Sequence, residues 1–186
     1  MDLESLFARR IGMSDINIVV EWSRTDPCDL DNIWKLTHSK DRRVSANALW
    51  VMTHLPESDR DWLISLQDEM IDMLLAEQDT SKRRMLLQLL REQDFNPEEM
   101  RTDLLDFCLS KINSECEPYA IRCFSIYVAF KMCRHYPELI SELEQHLDIM
   151  SKQPLSPGLK SALRQTKTKI SKLKISCQPP ILGRVL

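Results

Sequence analysis

The strongest constraint on this chain is a rhythm of paired helical segments. Apolar residues recur at helical spacing in short runs that come two by two. The second members begin near residues 42, 81, 118 and 157, separated by 39, 37 and 39 residues. The first members begin near 29, 58, 97 and 137. The copies also share letters: Arg43, Arg83 and Arg122 lie 40 and 39 residues apart, and six residues beyond each stand Leu49, Leu89 and Val128. One helical hairpin cannot bury its apolar stripe alone, whereas stacked neighbours complete each other's core. The pattern therefore predicts a stack of helical hairpins. An irregular helical bundle is the alternative that produces a similar rhythm.

The segmentation follows from breakers and caps. Two short helices are expected at 3–11 and 16–24, the second started near Ser14 or Asp15 and ended by Asp26-Pro27, because a residue before proline disfavours helix. The paired segments are expected at 29–38 and 42–54, 58–77 and 81–92, 97–112 and 118–134, and 137–149 and 157–174. Ser58 is a candidate cap, as are Asp79 and Thr80, and Pro97, Pro118, Pro137 and Pro157 suit first helical turns. Only 3 glycines occur in 186 residues, and long stretches are Leu, Met, Ala, Glu, Arg and Lys, which lose little side-chain freedom in a helix. An all-α fold follows. One domain over 1–176 is expected, with an extended or disordered tail at 177–186 that holds Pro179, Pro180 and Gly183. No run of about 18 apolar residues is present to span a bilayer. The N-terminal MDLESLFARRIG makes a poor signal peptide, so a cytoplasmic location is the expectation.

Charge is segregated along the same rhythm. The formal net charge is -3, yet residues 151–186 carry eight Lys or Arg and no acid, while the first 150 residues sum to -11. Among the first members, which we call A helices, 57–77 holds seven acids and one base, and 137–149 holds four acids and no base. Together with 97–112 they sum to -12, whereas the second members, the B helices, sum to +14. If the B layer lines one face, Arg42, Arg43, Lys82, Arg83, Arg84, Arg91, Arg122, Lys131, Arg134, Lys160 and Arg164 are the candidate binding residues. A basic face concentrates polyanions, and arginine suits bidentate phosphate contact. The competing expectation is structural: Arg43, Arg83 and Arg122 stand where they can pair with acids of a neighbouring helix. The segment 166–174, TKTKISKLK, is either a solvated cap of the last hairpin or a polyanion contact.

Motifs for chemistry are missing. No H-E-x-x-H, no G-x-S-x-G and no glycine-rich phosphate loop occurs, and no C-x-x-C pair is available for zinc. The six cysteines (Cys28, Cys108, Cys116, Cys123, Cys133 and Cys177) read as reduced core thiols, with Cys116 and Cys123 seven apart on one expected helix. His38, His54 and His135 fall near helix ends, where a donor side chain caps carbonyls. Glu69 with Asp72, and Asp103 with Asp106, share helix faces in the acidic A layer, where solvation accounts for them. Trp50 is expected in the core of its helix and Trp34 between hairpins. No catalytic residue, cofactor or metal site is expected.

The repeat length and the basic residue at the start of each B helix resemble HEAT and armadillo-type repeats over roughly residues 29–174. That resemblance implies a right-handed α-α superhelix of stacked hairpins acting as a noncatalytic interaction module, monomeric or weakly dimeric. The segment IWKLTHSKDRRVSANALWVM, residues 33–52, also resembles a repeat of the bacterial DNA alkylation repair proteins through Trp34, Arg43, Ala46 and Leu49. That likeness implies a DNA-binding or glycosylase-like protein, which needs an exposed tryptophan beside a carboxylate in a basic groove. Glu21, Asp41 and Asp61 are the carboxylates near the tryptophans in sequence. The partner is expected to be a protein or a nucleic acid, with no membrane and no small-molecule cofactor.

Overall fold

A computed structural model describes residues 1–176; the expected tail at 177–186, with Cys177, lies outside the described residues. Among them are eleven α-helices: α1 (Leu3–Phe7), α2 (Met13–Ser23), α3 (Pro27–Thr37), α4 (Arg42–Met52), α5 (Arg60–Ser65), α6 (Gln67–Ala76), α7 (Thr80–Glu92), α8 (Thr102–Ile112), α9 (Tyr119–Cys133), α10 (Pro137–Ser151) and α11 (Pro157–Ser176). The described residues contain no strand. No helix among them is long and apolar enough to cross a membrane.

Aspartates set the starts of the early helices. Asp26 accepts the Cys28 N–H at 2.9 Å, and Asp41 accepts those of Arg43 and Val44 at 2.7 and 3.1 Å. Asp79 accepts those of Ser81 and Lys82 at 2.8 and 3.1 Å. Each carboxylate satisfies orphan N–H groups of a first turn and complements its dipole. At α2 the cap residue is Gly12, and Asp15 reaches back to its N–H at 2.9 Å. Pro137 and Pro157 open α10 and α11 as expected.

Three expectations need correction. The segment 58–77 is not one helix: a 3₁₀ turn over Glu57–Asp59 leads into α5, and the chain breaks at Leu66 before α6, so Ser58 caps nothing. Pro97 opens a 3₁₀ turn, Pro97–Glu99, capped by Asn96, and extended backbone at Met100 delays α8 until Thr102. Pro118 stands one residue earlier than expected, at the cap of α9. This leaves Cys116 in the preceding turn rather than on a helix with Cys123.

The helices gather into two compact units, one over Met1–Gln93 and one from Asp94 onward. In the first, α4 packs against α1, α2, α3 and α7, and α7 packs against α6. Its core includes Val44, Ala48, Leu49, Val51 and Met52 of α4, Met70, Ile71 and Leu74 of α6, and Met85, Leu86, Leu87 and Leu90 of α7. In the second, α9 packs against α8, α10 and α11. It buries Ile121, Ile126, Val128, Ala129 and Met132 against Leu104 and Leu105, Leu143 and Leu147, and Leu159 and Ile170. The helix at the centre of each unit is thus a second member of a pair. Trp34 is buried as expected and donates from its indole to Glu69 of α6 at 2.9 Å, tying one hairpin to the next. Trp50 is only half-buried, on the outward side of α4.

Candidate interaction surface

The three arginines in register share one role. Arg43 donates from Nη1 to the carbonyl of Ala8, the residue that closes α1, at 3.4 Å. Arg83 donates from Nε to the carbonyl of Glu77, which closes α6, at 2.6 Å. Arg122 donates from Nε to the carbonyl of Ile112, the last residue of α8, at 3.0 Å. Each meets carbonyls left open where a preceding helix ends, and a cation there also answers the helix dipole. Among the described residues Arg43 and Arg122 meet neutral acceptors rather than the acids expected, and Arg83 also donates from Nη2 to Gln78 Oε1 at 3.1 Å. Burial rises along the series: Arg43 is exposed, Arg83 half-buried and Arg122 only 2% exposed. Arg122 also donates from Nη2 to Gln153 Oε1 at 2.5 Å, and Gln153 in turn donates to the Asn113 carbonyl at 3.1 Å.

Most of the remaining candidates meet acids of their own unit. Arg42 donates from Nε to Asp79 Oδ2 at 2.6 Å, and Lys82 pairs with Glu77 at 2.6 Å. Arg91 pairs with Glu92. Asp94 draws Arg134 at 3.3 Å and Lys131 at 3.7 Å. The α6–α7 turn is thereby a closed charge cluster. Burial raises the Glu77 carboxyl, but the Lys82 ammonium and the N–H groups of Asp79 and Gln78 outweigh it and hold the group below its ordinary value. Asp79 is lowered in the same way, with burial opposed by the Lys82 N–H, Arg42 and the Ser81 N–H. Beside this cluster a groove of about 630 Å³ is lined by Ala8, Asp41, Arg42, Arg43, Asp79 and Ser81, among others. Both signs of charge line it, and the carboxylates already cap α4 and α7.

Three candidates are left with little or no engagement. Among the described residues Arg84 meets only Gln88 Oε1, at 3.4 Å. Lys160 and Arg164 are exposed on α11 and have no ion pair among the described residues. The regular lysines of 166–174 divide: Lys167 pairs with Asp148 at 2.6 Å and Lys174 with Glu144, both on α10. Lys169 lies over the Phe130 ring of α9 at 5.7 Å. Lys172 is exposed.

Two further features were missed in the sequence reading. The α9 segment carries Tyr119, Phe124, Tyr127 and Phe130, none of them fully buried, on the side turned away from its core residues. Their shared face could have been read from helical spacing. The motif W-x-x-T-H occurs twice, at Trp34–His38 and Trp50–His54. In both copies the histidine Nδ1 lies near the tryptophan carbonyl, at 3.3 and 2.9 Å, and the rings meet edge to face. The end-of-helix role expected for these histidines is what the geometry supplies. His38 also places Nε2 3.1 Å from Glu69, the carboxylate that Trp34 holds.

Of the carboxylates considered for chemistry, Asp41 is a helix cap, Glu21 pairs with Arg24 at 3.4 Å, and Asp61 is exposed on α5. Trp62 donates to Asp31 at 3.1 Å. No group of three or more His, Cys, Asp or Glu among the described residues is placed to hold a metal ion. Cys108 and Cys133 are buried, and burial pushes the Cys133 thiol up to about 12 and Cys108 higher still, which suits inert core thiols. Cys28 and Cys116 correct the core expectation, since both are exposed at helix entrances.

Comparisons with curated proteins and with solved structures return no match. A family model described as a HEAT repeat domain matches residues 3–170. Repeated hairpins, B helices at the centre of each unit and a match across most of the chain agree: this all-α chain belongs to the HEAT repeat domain family.

Proposed function

We propose that this chain is a noncatalytic interaction module that engages a protein partner through the outward sides of its B helices. It works without a small-molecule cofactor, in the cytoplasm, as a monomer or weak dimer. The observation that carries this reading is the engagement of the B-helix cations. Of the eleven candidates, Arg42, Lys82, Arg91, Lys131 and Arg134 meet acids, and Arg43, Arg83 and Arg122 meet carbonyls. Little of the +14 is therefore uncommitted, whereas a polyanion groove depends on many uncommitted cations. The outward side of the first unit's B helices instead offers Trp50, Arg84 and Gln88, half-buried side chains. Tryptophan and arginine are the types that concentrate binding energy at protein interfaces.

A DNA-repair reading asks for an exposed tryptophan beside a free carboxylate in a basic groove. The two indole–carboxylate pairs, Trp34 with Glu69 and Trp62 with Asp31, belong to the acidic A helices, and Trp34 is 6% exposed. They lend that reading less support.

The test combines two measurements on the full chain. Photo-crosslinking residues at Trp50 and Gln88 are expected to capture a protein, and the same group at Asp72 on α6 is not. Duplex and single-stranded DNA are expected to bind no tighter than about 100 μM at physiological salt, the weak end of the non-specific range. Micromolar DNA binding that falls steeply with salt and is weakened by charge reversal at Arg84, Arg91 and Arg134 would overturn the proposal in favour of a nucleic-acid partner.

A further inference from the structure

The helix α11 carries Lys160, Arg164, Lys167, Lys169, Lys172 and Lys174 and no acid, and residues 151–186 contain none. Three of the six are accounted for by neighbours: Lys167 and Lys174 reach the carboxylates of α10, and Lys169 covers Phe130 of α9. The other three, Lys160, Arg164 and Lys172, are exposed and have no ion pair among the described residues. Their side of α11 lies opposite Leu159, Ala162, Thr166 and Ile170, which face the core. With Thr168 between them, they succeed one another at four-residue steps along one slowly turning stripe, roughly 18 Å long.

A solvated outer face needs only polarity and is best served by charges of both signs. This stripe has one sign. Lys160 and Arg164 stand four apart, where like charges destabilise a helix. Only an anionic partner turns that cost into attraction.

We infer that the Lys160–Arg164–Lys172 stripe of α11 docks an acidic helical segment of a partner protein. This rests on the reading of the chain as a protein-interaction module and names the chemistry of one contact. Carboxylates placed one helical turn apart match cations placed one helical turn apart, and the Arg164 guanidinium can take a carboxylate through two parallel N–H bonds. A nucleic acid fits less well. A single file of three cations neutralises few of the phosphates of a long polyanion.

The test uses the full chain and three fluorescent probes: an alanine-based helical peptide of about 20 residues with Glu at every fourth position, its Gln counterpart, and a single-stranded DNA of similar length. The Glu peptide is expected to bind at low salt with Kd on the order of 10 μM, and the Gln peptide at least about tenfold more weakly. The triple variant Lys160→Gln, Arg164→Gln, Lys172→Gln should lose at least about tenfold for the Glu peptide. The double variant Lys167→Gln, Lys174→Gln, whose amines face α10, should stay within about threefold of the parent. Circular dichroism of both variants checks that α11 is intact. Equal binding of the two peptides, no loss in the triple variant, or DNA binding tighter than the Glu peptide and abolished by the triple variant would each overturn the inference. Crosslinking at Trp50 and Gln88 reads the parent proposal separately, so this contact can fail while that proposal stands.

Discussion

The two compact units place the same residue at the same register, closing a preceding helix, in very different surroundings. In the first, Arg83 caps α6 from a half-buried position, and the surrounding turn is crowded with carboxylates, Glu77 and Asp79, that also hold Lys82 and Arg42. In the second, Arg122 is almost wholly buried and is satisfied by neutral acceptors, the Ile112 carbonyl and the Gln153 amide. Around the α6–α7 turn the first unit thus neutralises Lys82 and Arg42 locally. The second buries one cation among neutral groups and has three others, exposed on α11, with no ion pair among the described residues. A repeated letter marks a repeated position, and the environment at each copy decides what that letter is worth.

The largest effect expected from this contrast is at Arg122. Arg122→Ala leaves a buried carbonyl and a half-buried amide oxygen without a donor and opens a cavity, at a cost of about 3 kcal/mol. Arg83→Ala, with water able to reach the Glu77 carbonyl, should cost about 1–2 kcal/mol. Arg43→Ala, exposed and at 3.4 Å, should cost only a few tenths of a kcal/mol. Urea unfolding midpoints rank the three. Equal losses at Arg43 and Arg122 would break the comparison.

Next is the Asp79 cap. Asp79→Ala removes two N–H contacts and the Arg42 partner together, and about 1–2 kcal/mol should follow in the same assay. The pH dependence of that cluster has a definite sign. The folded-state carboxyls of Glu77 and Asp79 lie below their ordinary values of 4.5 and 3.8. Their contribution to stability is therefore full above those values and is lost as pH falls through the lowered ones. Midpoints measured from pH 6 downward should drop less steeply in the double variant Glu77→Gln, Asp79→Asn than in the parent. Parallel curves would show that the cluster is not what acid attacks first.

The smallest effect is expected at the ion pairs between α10 and α11. Lys167→Gln with Lys174→Gln removes contacts that are open to solvent and screened by salt, so the unfolding midpoint should hardly move. A shift comparable to that of Asp79→Ala would mean that these lysines hold α11 in place, and would sharpen the distinction between the paired and unpaired cations of that helix.

Much of this was legible in the chain. Most helix positions from α2 onward, apart from α5, α6 and the start of α8, follow from spacing and local chemistry, as do the proline starts of α10 and α11, the Asp79 cap and the Trp34 link between hairpins. The break at Leu66 was not legible, because residues 58–77 contain no glycine or proline to mark it. Nor was the fate of the basic residues. A sum of +14 over the B helices does not say which cations point at acids, which at carbonyls and which at water.

The sequence by itself determined the all-α class, the pairing of helices and the register of Arg43, Arg83 and Arg122, because periodicity, capping and chain breaks act over a few residues. Only the tertiary structure decided that these arginines close the ends of other helices and that Arg122 lies in the core while Lys160, Arg164 and Lys172 remain exposed. Those outcomes depend on which helix ends and which carboxylates come within about 3 Å of a guanidinium or ammonium. That distance is fixed by how segments pack, for partners roughly 6 to 40 residues apart, and the helical periodicity does not encode it.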